Sequence, residues 1–502
     1  MTDITLINPS FDTSRKKPEI QETKPGNMLE NFPPMYLLYL AAYLREKNFS
    51  VDVIDTRLYN EKEAMEKIEK INSPFVGLSV ITEAMDSSLR ITKALKGHDK
   101  KIKVIWGGFH PTLYTDQCID YQWTDSNGNK NSVDFVVSGE GEEKILDILK
   151  GTVTDRLQVE TRLFDLNQLP APAFDLIPFE QYWEKNLYNG KRVKQLPVLS
   201  SRGCPKRCTF CVDPIVFKRR WPFMTAENFN RQMDELMQQY KGITHIFPYD
   251  ENFFPDIKRA IAIGDHFKEL GVSWEANCSV DLIKRWPEGT MKQIADSGCY
   301  MFRMGIESGS DFVLQDIIHK DCSVQDNLDG VRKCNENGIV VMMLLMMGLP
   351  KETRQDIIKT VRMVYEMTTM LPISKKNVHV GPQPLRPYKG GLMYEMCDGI
   401  KDDEPKTLDE WVNYRPPYDK FIQPWIMDKK FAEDAIMMFE LIQSKRGAYK
   451  NFADMAFSRL FSKFVDARIK TNFWGLTYDM KLAKAVRSIR KPKEIALGVT
   501  SE

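Results

Sequence analysis

Three cysteines lie close together in Cys204-Pro205-Lys206-Arg207-Cys208-Thr209-Phe210-Cys211, at C-x3-C-x2-C spacing. The chain has nine cysteines in 502 residues, so this concentration in one short segment is not expected by chance. Three neighbouring thiolates suit a soft iron-sulfur site. No fourth cysteine lies nearby, since the next ones along the chain are Cys118 and Cys278. A four-iron cluster here would leave one iron without a protein ligand.

The alternatives for this segment are a zinc site or three buried free thiols. Zinc prefers a closed site with four ligands, and no histidine lies near Cys211. The iron-sulfur interpretation is therefore favoured. The remaining cysteines lack the tight spacing of metal ligands and are interpreted as free thiols: Cys118, Cys278, Cys299, Cys322, Cys334 and Cys397.

Length and composition are those of a large intracellular enzyme with several domains. The net charge of +1 gives no general attraction to nucleic acid. Cysteines without paired spacing argue against a disulfide framework and for a reducing compartment. No signal peptide is recognisable, and the longest apolar run, residues 338–349, is too short to cross a bilayer. We expect a cytoplasmic protein that binds no nucleic acid.

In the first part of the chain, short apolar runs alternate with helix-length segments. A helix is expected over residues 34–45, and the strand-like runs are residues 4–7, 51–54, 75–80, 102–106 and 133–137. This alternation predicts an α/β fold with a doubly wound, Rossmann-like parallel sheet. Ligands of such sheets bind beyond the carboxyl ends of the strands, where this chain carries polar and glycine-rich segments.

The second part begins with a proline-rich connector and then alternates again. Six strand-like runs follow, at residues 196–200, 243–248, 272–278, 300–305, 339–346 and 377–380. In barrels built from such βα units, sites collect at the carboxyl ends of the strands. The last hundred residues show helical patterns, including an apolar helix face made of Phe457, Leu460, Phe461, Phe464, Val465 and Ile469.

The cysteine spacing, with Phe210 before Cys211, resembles the radical S-adenosylmethionine (SAM) superfamily. The resemblance implies a partial (β/α)6 TIM-type barrel and a [4Fe-4S] cluster on Cys204, Cys208 and Cys211, with SAM on the open iron. It also implies a one-electron reductant of the flavodoxin or ferredoxin type and a 5'-deoxyadenosyl radical that takes hydrogen from the substrate. It assigns the SAM contacts to Phe210, Asp250, Glu251, Ser279, Arg303, Glu307 and Ser308. For Arg303, a structural ion pair is the alternative.

The stretches Gly-Gly-x-His-Pro-Thr at 107–112 and Gly-Glu-Gly-Glu at 139–142 resemble the cobalamin (B12)-binding domain of one class of radical SAM enzymes. A dinucleotide site is the weaker alternative, because residues 139–143 lack the third glycine. The resemblance implies cobalamin contacts at Asn8, Pro9, Ser79, Thr82, Gly107, Gly108, His110, Ser138, Gly139 and Glu140.

The D-x-H-x-x-G motif, whose histidine binds cobalt in many other cobalamin enzymes, is absent from this sequence. We therefore expect cobalamin to bind without that histidine ligand. His110, in the glycine-rich loop, is expected to pack or form hydrogen bonds rather than coordinate cobalt.

The sequence thus predicts a cobalamin-binding domain over 1–146, a linker over 147–194, a radical SAM domain over 195–399 and a mainly helical C-terminal substrate or capping domain over 400–502. The resemblance implies a methyltransferase that moves a methyl group from methylcobalamin to an unactivated carbon of a peptide or protein, a lipid or a natural product. A B12-dependent cyclase or ring-rearranging enzyme similar to tetrapyrrole cyclases is the enzymatic alternative. A non-catalytic, cobalamin- or redox-responsive binding module is the alternative of another class.

The stretch from Arg459 to Lys493 is strongly basic. A basic amphipathic helix can lie on an anionic membrane surface, so a peripheral membrane contact is one interpretation. A core-packing helix with a solvated basic face is commoner and is favoured here.

Overall fold

The structure, a computed structural model, describes residues 2–10, 32–183, 187–188, 191–369, 378–414, 423–444, 452–474, 478–480 and 482–483. Two six-stranded parallel sheets organise these residues. Two small two-stranded sheets, made of Gln122–Thr124 with Lys130–Ser132 and of Leu187–Tyr188 with Lys191–Arg192, lie outside them. The α/β class expected from the sequence is confirmed.

The first sheet has six parallel strands. In chain order its members are β1 (Ile4–Asn8), β2 (Val51–Asp55), β3 (Phe75–Ser79), β4 (Lys103–Gly107), β5 (Phe135–Ser138) and β6 (Leu157–Val159). Their order across the sheet is β2-β1-β3-β4-β5-β6, and each strand pairs with its neighbours in parallel. The strand order reverses between β1 and β3, so this doubly wound sheet has a ligand-binding switch point at their carboxyl ends.

Helices cover both faces of the first sheet. They are α1 (Met35–Glu46), α2 (Glu61–Ile68), α3 (Met85–His98), α4 (Phe109–Leu113), α5 (Thr115–Asp120) and α6 (Glu142–Lys150). Helix α2 begins with a capping box, in which Asn60 accepts from the Glu63 amide and Glu63 accepts from the Asn60 amide. Separate apolar clusters on the two faces of the sheet contain α1 and α6 on one side and α3 on the other.

The sheet continues beyond the domain boundary predicted at residue 146. That boundary falls inside α6, and β6 adds a sixth strand from the segment expected to be a linker. In the segment that follows, the side chains of Phe164, Leu166, Leu169, Phe174 and Phe179 are buried, and the rings of Phe174 and Phe179 stack at 4.1 Å. The linker over 147–194 stays a prediction, although its residues 157–159 belong to the first sheet. Proline content indicated an extended chain but not the aromatic residues that pack it onto the core.

The second sheet is the partial barrel. Its strands are β7 (Gln195–Val198), β8 (His245–Pro248), β9 (Ser273–Cys278), β10 (Cys299–Glu307), β11 (Val340–Met347) and β12 (Val378–Pro384), in sequence order and all parallel. Continuous apolar runs form these strands because both faces of a parallel sheet are covered. The helices here are Glu180–Trp183, Asp213–Val216, Ala226–Gln239, Ile257–Glu269, Val280–Ile283, Thr290–Asp296, Val324–Glu336 and Arg354–Thr369.

The C-terminal part is mainly helical, as predicted. Its helices are Leu392–Met396, Ile400–Asp403, Leu408–Asn413, Lys429–Ser444 and Phe452–Thr471. In the last helix, Phe461 and Val465 are buried, but Leu460 and Phe464 of the predicted apolar face are exposed. Residues 484–502, which end the basic stretch, lie outside the described residues. Across the described residues, no helix combines the length and apolar character needed to span a bilayer.

Helix α1 joins the two sheets. The Tyr39 hydroxyl, fully buried, donates to the Leu199 carbonyl and accepts from the Leu199 amide, both at 3.1 Å. Leu199 directly follows β7, so this side chain completes the hydrogen bonds of a strand end in the other domain.

Replacement of Tyr39 by Phe should lower the free energy of unfolding by about 1–3 kcal/mol, because two buried backbone groups of Leu199 lose their partner. Urea denaturation followed by circular dichroism measures the change. Tyr59→Phe is the matched control, since its ring is half-buried against Lys67 at the surface of the first domain. Equal stability of the two variants would contradict the prediction.

Candidate functional site

A cleft opens at the carboxyl edge of the first sheet, at the switch point between β1 and β3. Its floor is apolar and rich in glycine, and a few polar groups stand at its rim. The lining residues are Leu6, Tyr36, Leu37, Leu40, Gly77, Leu78, Ser79, Ile105, Gly107, Gly108, Phe109, Thr112, Val137, Gly139, Glu140, Gly141, Glu142, Ile145, Arg202, Val216 and Phe217. The last three come from the segment that carries the cysteines.

Two glycines fix the loops that border the cleft. Gly108 has φ +105°, and a Cβ there would lie 2.9 Å from the Val80 carbonyl oxygen. Gly139 has φ +93°, and a Cβ there would lie 2.4 Å from the Glu160 carbonyl oxygen. Because both positions combine a left-handed backbone with contact to another chain segment, a larger residue would displace the loops.

The structure brings half of the predicted cobalamin contacts to the cleft. Ser79, Gly107, Gly108, Gly139 and Glu140 line it, whereas the cleft lining does not include Asn8, Pro9, Thr82, His110 or Ser138. Asn8 instead donates to Asp55 at 3.1 Å, and Ser138 lies 3.4 Å from the Thr115 hydroxyl. Their contact with cobalamin remains a prediction.

Sequence reasoning missed the wall that faces the sheet. It is formed by Tyr36, Leu37 and Leu40 of α1 and by Arg202 and Phe217 of the cysteine segment. The apolar face of α1 was recognisable, but its position over the sheet depends on tertiary packing. Arg202 stands two residues before Cys204, and that proximity was the available signal.

His110 is fully buried behind the cleft. Its Nδ1 lies 3.0 Å from the Thr82 hydroxyl, and its ring stacks on Tyr114 at 4.8 Å and meets Trp411 edge-on at 5.4 Å. Burial, with the nearby Lys389 cation, lowers the pKa of His110 to about 3. The imidazole is therefore neutral at physiological pH. Its aromatic surroundings agree with the expected packing role.

The three cysteines lie on one half-buried loop between β7 and the helix Asp213–Val216. The Thr209 amide donates to the Ile318 carbonyl at 3.0 Å, and its hydroxyl donates to the Ile317 carbonyl at 2.7 Å. The Met393 amide donates to the Thr209 carbonyl at 3.1 Å. The loop is thus held by the barrel on one side and by the C-terminal part on the other.

Burial raises the pKa of all three thiols, that of Cys204 to about 11. Neighbouring side chains act to lower the pKa values of Cys204 and Cys208. Lys320 and Lys206 act on Cys208 and lower its pKa, and Asn252 Nδ2 donates to Cys204 Sγ at 3.8 Å. These neighbours favour the thiolate form that a metal requires.

The donor set fits an iron-sulfur cluster better than zinc, because three soft ligands share one loop and no histidine joins them. The charge of Cys208 acts on both Cys204 and Cys211, so the thiols are electrostatic neighbours. In the described part of the chain, no three cysteine, histidine or acidic side chains stand close enough to hold one metal ion. The three cysteines as cluster ligands therefore remain a prediction, which rests on loop position and chemistry.

The cleft also suits a large, flat cofactor whose edge carries amide groups. Its apolar and glycine floor suits a flat ring face, and the hydroxyls of Ser79 and Thr112 stand at the edge. Beside the cysteines, Asn252 Oδ1 is buried and has no hydrogen-bond partner among the described residues. A free acceptor at that place suits the ammonium group of SAM.

The acidic residues after β8 are engaged within the protein. Asp250 accepts from the Ser200 amide at 2.7 Å and from the hydroxyls of Ser200 and Ser201, each at 2.5 Å. Glu251 accepts from the Tyr36 hydroxyl at 2.8 Å and from the Gly203 amide at 3.0 Å. Burial, together with Asp213, raises the pKa of Glu251 to about 8. Both residues brace the cysteine loop.

The other residues assigned to SAM also have protein partners. Arg303 pairs with Glu275 at 2.7 Å, with its guanidinium 4.5 Å from the Phe247 ring centre, which matches the structural alternative. Glu307 pairs with Lys320 at 3.0 Å. Ser279 donates to Asp281 at 2.5 Å, Ser308 lies 3.2 Å from the Thr360 hydroxyl, and Phe210 is half-buried. Direct contact of any of them with SAM remains a prediction.

Family models match both halves of this arrangement. The model of the radical SAM superfamily matches residues 198–364, which contain the cysteines, and that of the B12 binding domain matches residues 26–149, which contain most of the cleft. The two matches occur in the order that the motifs predicted.

Several curated proteins are similar over most of their length. An uncharacterized methyltransferase of Pyrococcus horikoshii is 28% identical over 356 residues, 66% of this chain and 72% of that protein. An anaerobic magnesium-protoporphyrin IX monomethyl ester cyclase of Rubrivivax gelatinosus is 24% identical over 66% of this chain and 62% of that protein. A bacteriochlorophyllide d C-12(1)-methyltransferase of Chlorobaculum tepidum is 23% identical over 83% of each chain.

Among solved structures, the radical SAM methyltransferase TsrM from Kitasatospora setae, with tryptophan substrate and a SAM analog bound, has a TM-score of 0.64 at 15% identity. The superposition covers 97% of this chain and 99% of that one. The cobalamin-dependent SAM radical enzyme OxsB has a TM-score of 0.57 at 15% identity, over 97% of this chain and 71% of that one. At these identities the likeness establishes the shared fold.

Replacing Cys204, Cys208 and Cys211 together by Ala is expected to remove iron from the reconstituted protein, from about four atoms per chain to almost none. We predict that the three thiolates are the iron ligands, and none of them lies in the first sheet. Iron analysis, visible absorbance and far-ultraviolet circular dichroism test both parts. Cys118→Ala, at a buried cysteine of the first domain, is the control and should keep its iron. Full iron content in the triple variant would refute the ligand assignment.

His110 should not coordinate cobalt, because its ring is enclosed by Tyr114 and Trp411 and does not reach the cleft lining. The electron paramagnetic resonance (EPR) spectrum of bound cob(II)alamin should show no nitrogen superhyperfine splitting, and His110→Phe should leave it unchanged. Splitting that disappears in the variant would show that His110 is a cobalt ligand.

Proposed function

Because this chain belongs to the radical SAM enzymes that carry a B12-binding domain, we propose that it transfers a methyl group from cobalamin to an unactivated carbon of its substrate. The family accounts for the methyltransferase class and for its cofactors, a [4Fe-4S] cluster, SAM and cobalamin. The proposal adds the direction of transfer and the kind of acceptor.

One observation carries the proposal: the cleft and the cysteine loop share a wall. Arg202, Val216 and Phe217 line the cleft, and Cys204, Cys208 and Cys211 lie between them in sequence. A ligand in the cleft is therefore adjacent to the segment that would hold the cluster. Radical formation and methyl donation need this proximity, because both must reach one substrate carbon.

When bound, the cluster and SAM supply a carbon-centred radical, and cobalamin supplies the methyl group. The chain's own residues prepare the place for them. Leu37, Leu40 and Phe217 give the cleft an apolar wall that limits water. Asn252 offers its free oxygen beside Cys204, and Lys320 places a cation near Cys208.

We propose a one-electron reductant of the flavodoxin or ferredoxin type, which the chemistry of the cluster requires. The substrate enters where residues 386–393 approach both domains. Arg386 pairs with Glu83 of the first domain at 3.3 Å, and the Met393 amide donates to the cysteine loop. The proposed substrate is a peptide or protein side chain, a lipid or a natural product.

An anaerobic assay with SAM, cobalamin and a chemical one-electron reductant tests the proposal. We expect both 5'-deoxyadenosine and S-adenosylhomocysteine to form, and both to fall to background in the triple cysteine variant or, for S-adenosylhomocysteine, when cobalamin is omitted. 5'-Deoxyadenosine alone from the cobalamin-loaded enzyme would support the cyclase alternative, which the similarity to a protoporphyrin ester cyclase favours. Formation of neither product would support a binding module.

A further inference from the structure

Arg202 connects the first domain to the cysteine loop through a buried contact. Its Nη1 donates to Glu140 Oε1 at 2.9 Å, and its Nη2 donates to Glu142 Oε1 at 2.7 Å. The three side chains are 3%, 9% and 5% exposed. The Tyr36 ring centre lies 5.4 Å from the guanidinium. All four residues line the cleft.

Stability alone does not explain this triad. Burial opposes the charge of Arg202, but Glu142 and Glu140 raise its pKa, so the group stays a cation. Apolar residues of similar volume often stabilise a core as well as a buried ionic group does. A planar guanidinium instead fixes two acceptors in one geometry, which a flexible ammonium does not. The contact therefore specifies how the cleft rim lies against the cysteine loop.

The carboxylate end of the contact has little freedom to move. The backbone of Gly139 runs so close to Glu160 that a Cβ there would lie 2.4 Å from the Glu160 carbonyl oxygen, and the Gly139 amide donates to the Thr112 hydroxyl at 3.1 Å. The second oxygen of Glu140 accepts from the Phe164 amide at 2.7 Å. A ligand that presses on residues 139–142 therefore moves the carboxylates together with the loop.

The arginine end is equally fixed. The Arg202 amide donates to the Pro222 carbonyl at 3.0 Å, and the Gly203 amide donates to Glu251 at 3.0 Å. Gly203 has φ +70°, and a Cβ there would lie 2.7 Å from the Phe217 side chain. Gly203, whose backbone is constrained, is the one residue that separates Arg202 from Cys204.

We propose that Arg202 is a positioning residue that couples occupancy of the cobalamin cleft to the geometry of the cysteine loop. The inference rests on the proposed function in so far as the cleft takes cobalamin. By linkage, cobalamin affinity then depends on whether the cluster is present, and the cluster's surroundings depend on whether cobalamin is bound.

Two variants distinguish a role of Arg202 in coupling the cleft to the cysteine loop from a role in folding. Arg202→Lys keeps the charge and loses the two-acceptor fork. The triple variant Arg202→Met/Glu140→Gln/Glu142→Gln removes all three charges and so leaves no unpaired ion in the core. Arg162→Met is the matched control. The Arg162 side chain is 77% exposed and pairs with Glu143 and Glu160 of the first domain. Circular dichroism establishes that each variant folds.

The experiment measures hydroxocobalamin affinity in the protein with and without its cluster, and the EPR spectrum of the reduced cluster with and without cobalamin. In the parent protein and Arg162→Met, we expect reconstitution of the cluster to change cobalamin affinity about tenfold and cobalamin to shift the cluster spectrum. In Arg202→Lys and the triple variant, cobalamin should still bind, but its affinity should not depend on the cluster and the spectral shift should vanish.

Hydrogen exchange of residues 200–217 gives a readout that does not need turnover. Cobalamin should slow exchange there in the parent protein and not in Arg202→Lys. Parent-like coupling in both Arg202 variants would overturn the proposal, as would a parent protein that binds cobalamin without any change in the cluster spectrum or in exchange. A parent protein that binds no cobalamin would instead overturn the proposed function and, with it, this inference.

Discussion

Helix α1 is apolar on almost every side, and this constraint joins the two sheets into one body. Its residues Met35 and Leu37 to Leu44 are buried. A helix that is apolar all round has to be covered all round. The first sheet covers one side and the start of the barrel covers the other, so both contribute to one continuous apolar cluster. The cleft and the cysteine loop are consequently held in a fixed relation by packing before any polar contact is considered.

Lysine side chains near the cysteines counteract the effect of burial on the pKa of the Cys208 thiol. Burial raises the pKa of each thiol, so in the absence of metal the loop favours the protonated form. The Lys320 cation lowers the pKa of Cys208. Glu307, 3.0 Å from the Lys320 ammonium, holds that cation in place. Metal binding has to displace the thiol protons in such a site. The buried lysine reduces the cost of that step without closing the loop with a fourth ligand.

The sequence was most informative where local pattern and tertiary structure agree. Apolar runs such as residues 51–54 and 102–106 became strands Val51–Asp55 and Lys103–Gly107, because parallel strands are buried on both faces. The same pattern could not find Leu157–Val159, since this edge strand has a single buried residue, Gln158, between exposed neighbours. Edge strands carry weak periodicity, and their pairing depends on the neighbouring strand rather than on their own composition.

Site residues were predictable to the extent that backbone geometry placed them. Gly107, Gly108 and Gly139 reach the cleft because loops at strand ends must lie there in a doubly wound sheet. Polar side chains at the barrel strand ends were less predictable. Asp250, for example, is satisfied by Ser200 and Ser201, which stand far away in sequence. A buried carboxylate needs donors, and a sequence does not show which donors the fold delivers.

The Gly-Glu-Gly-Glu stretch illustrates how one motif can serve two needs. Its glycines give the loop a tight path along the cleft, and its carboxylates meet a guanidinium that belongs to the cysteine motif. Taken separately, each motif indicates one cofactor. Taken together, they explain why the carboxylates tolerate burial, because Arg202 supplies the counter-charge from the other domain. Each motif thus completes the other's hydrogen bonds, and the junction between the domains is itself part of the site.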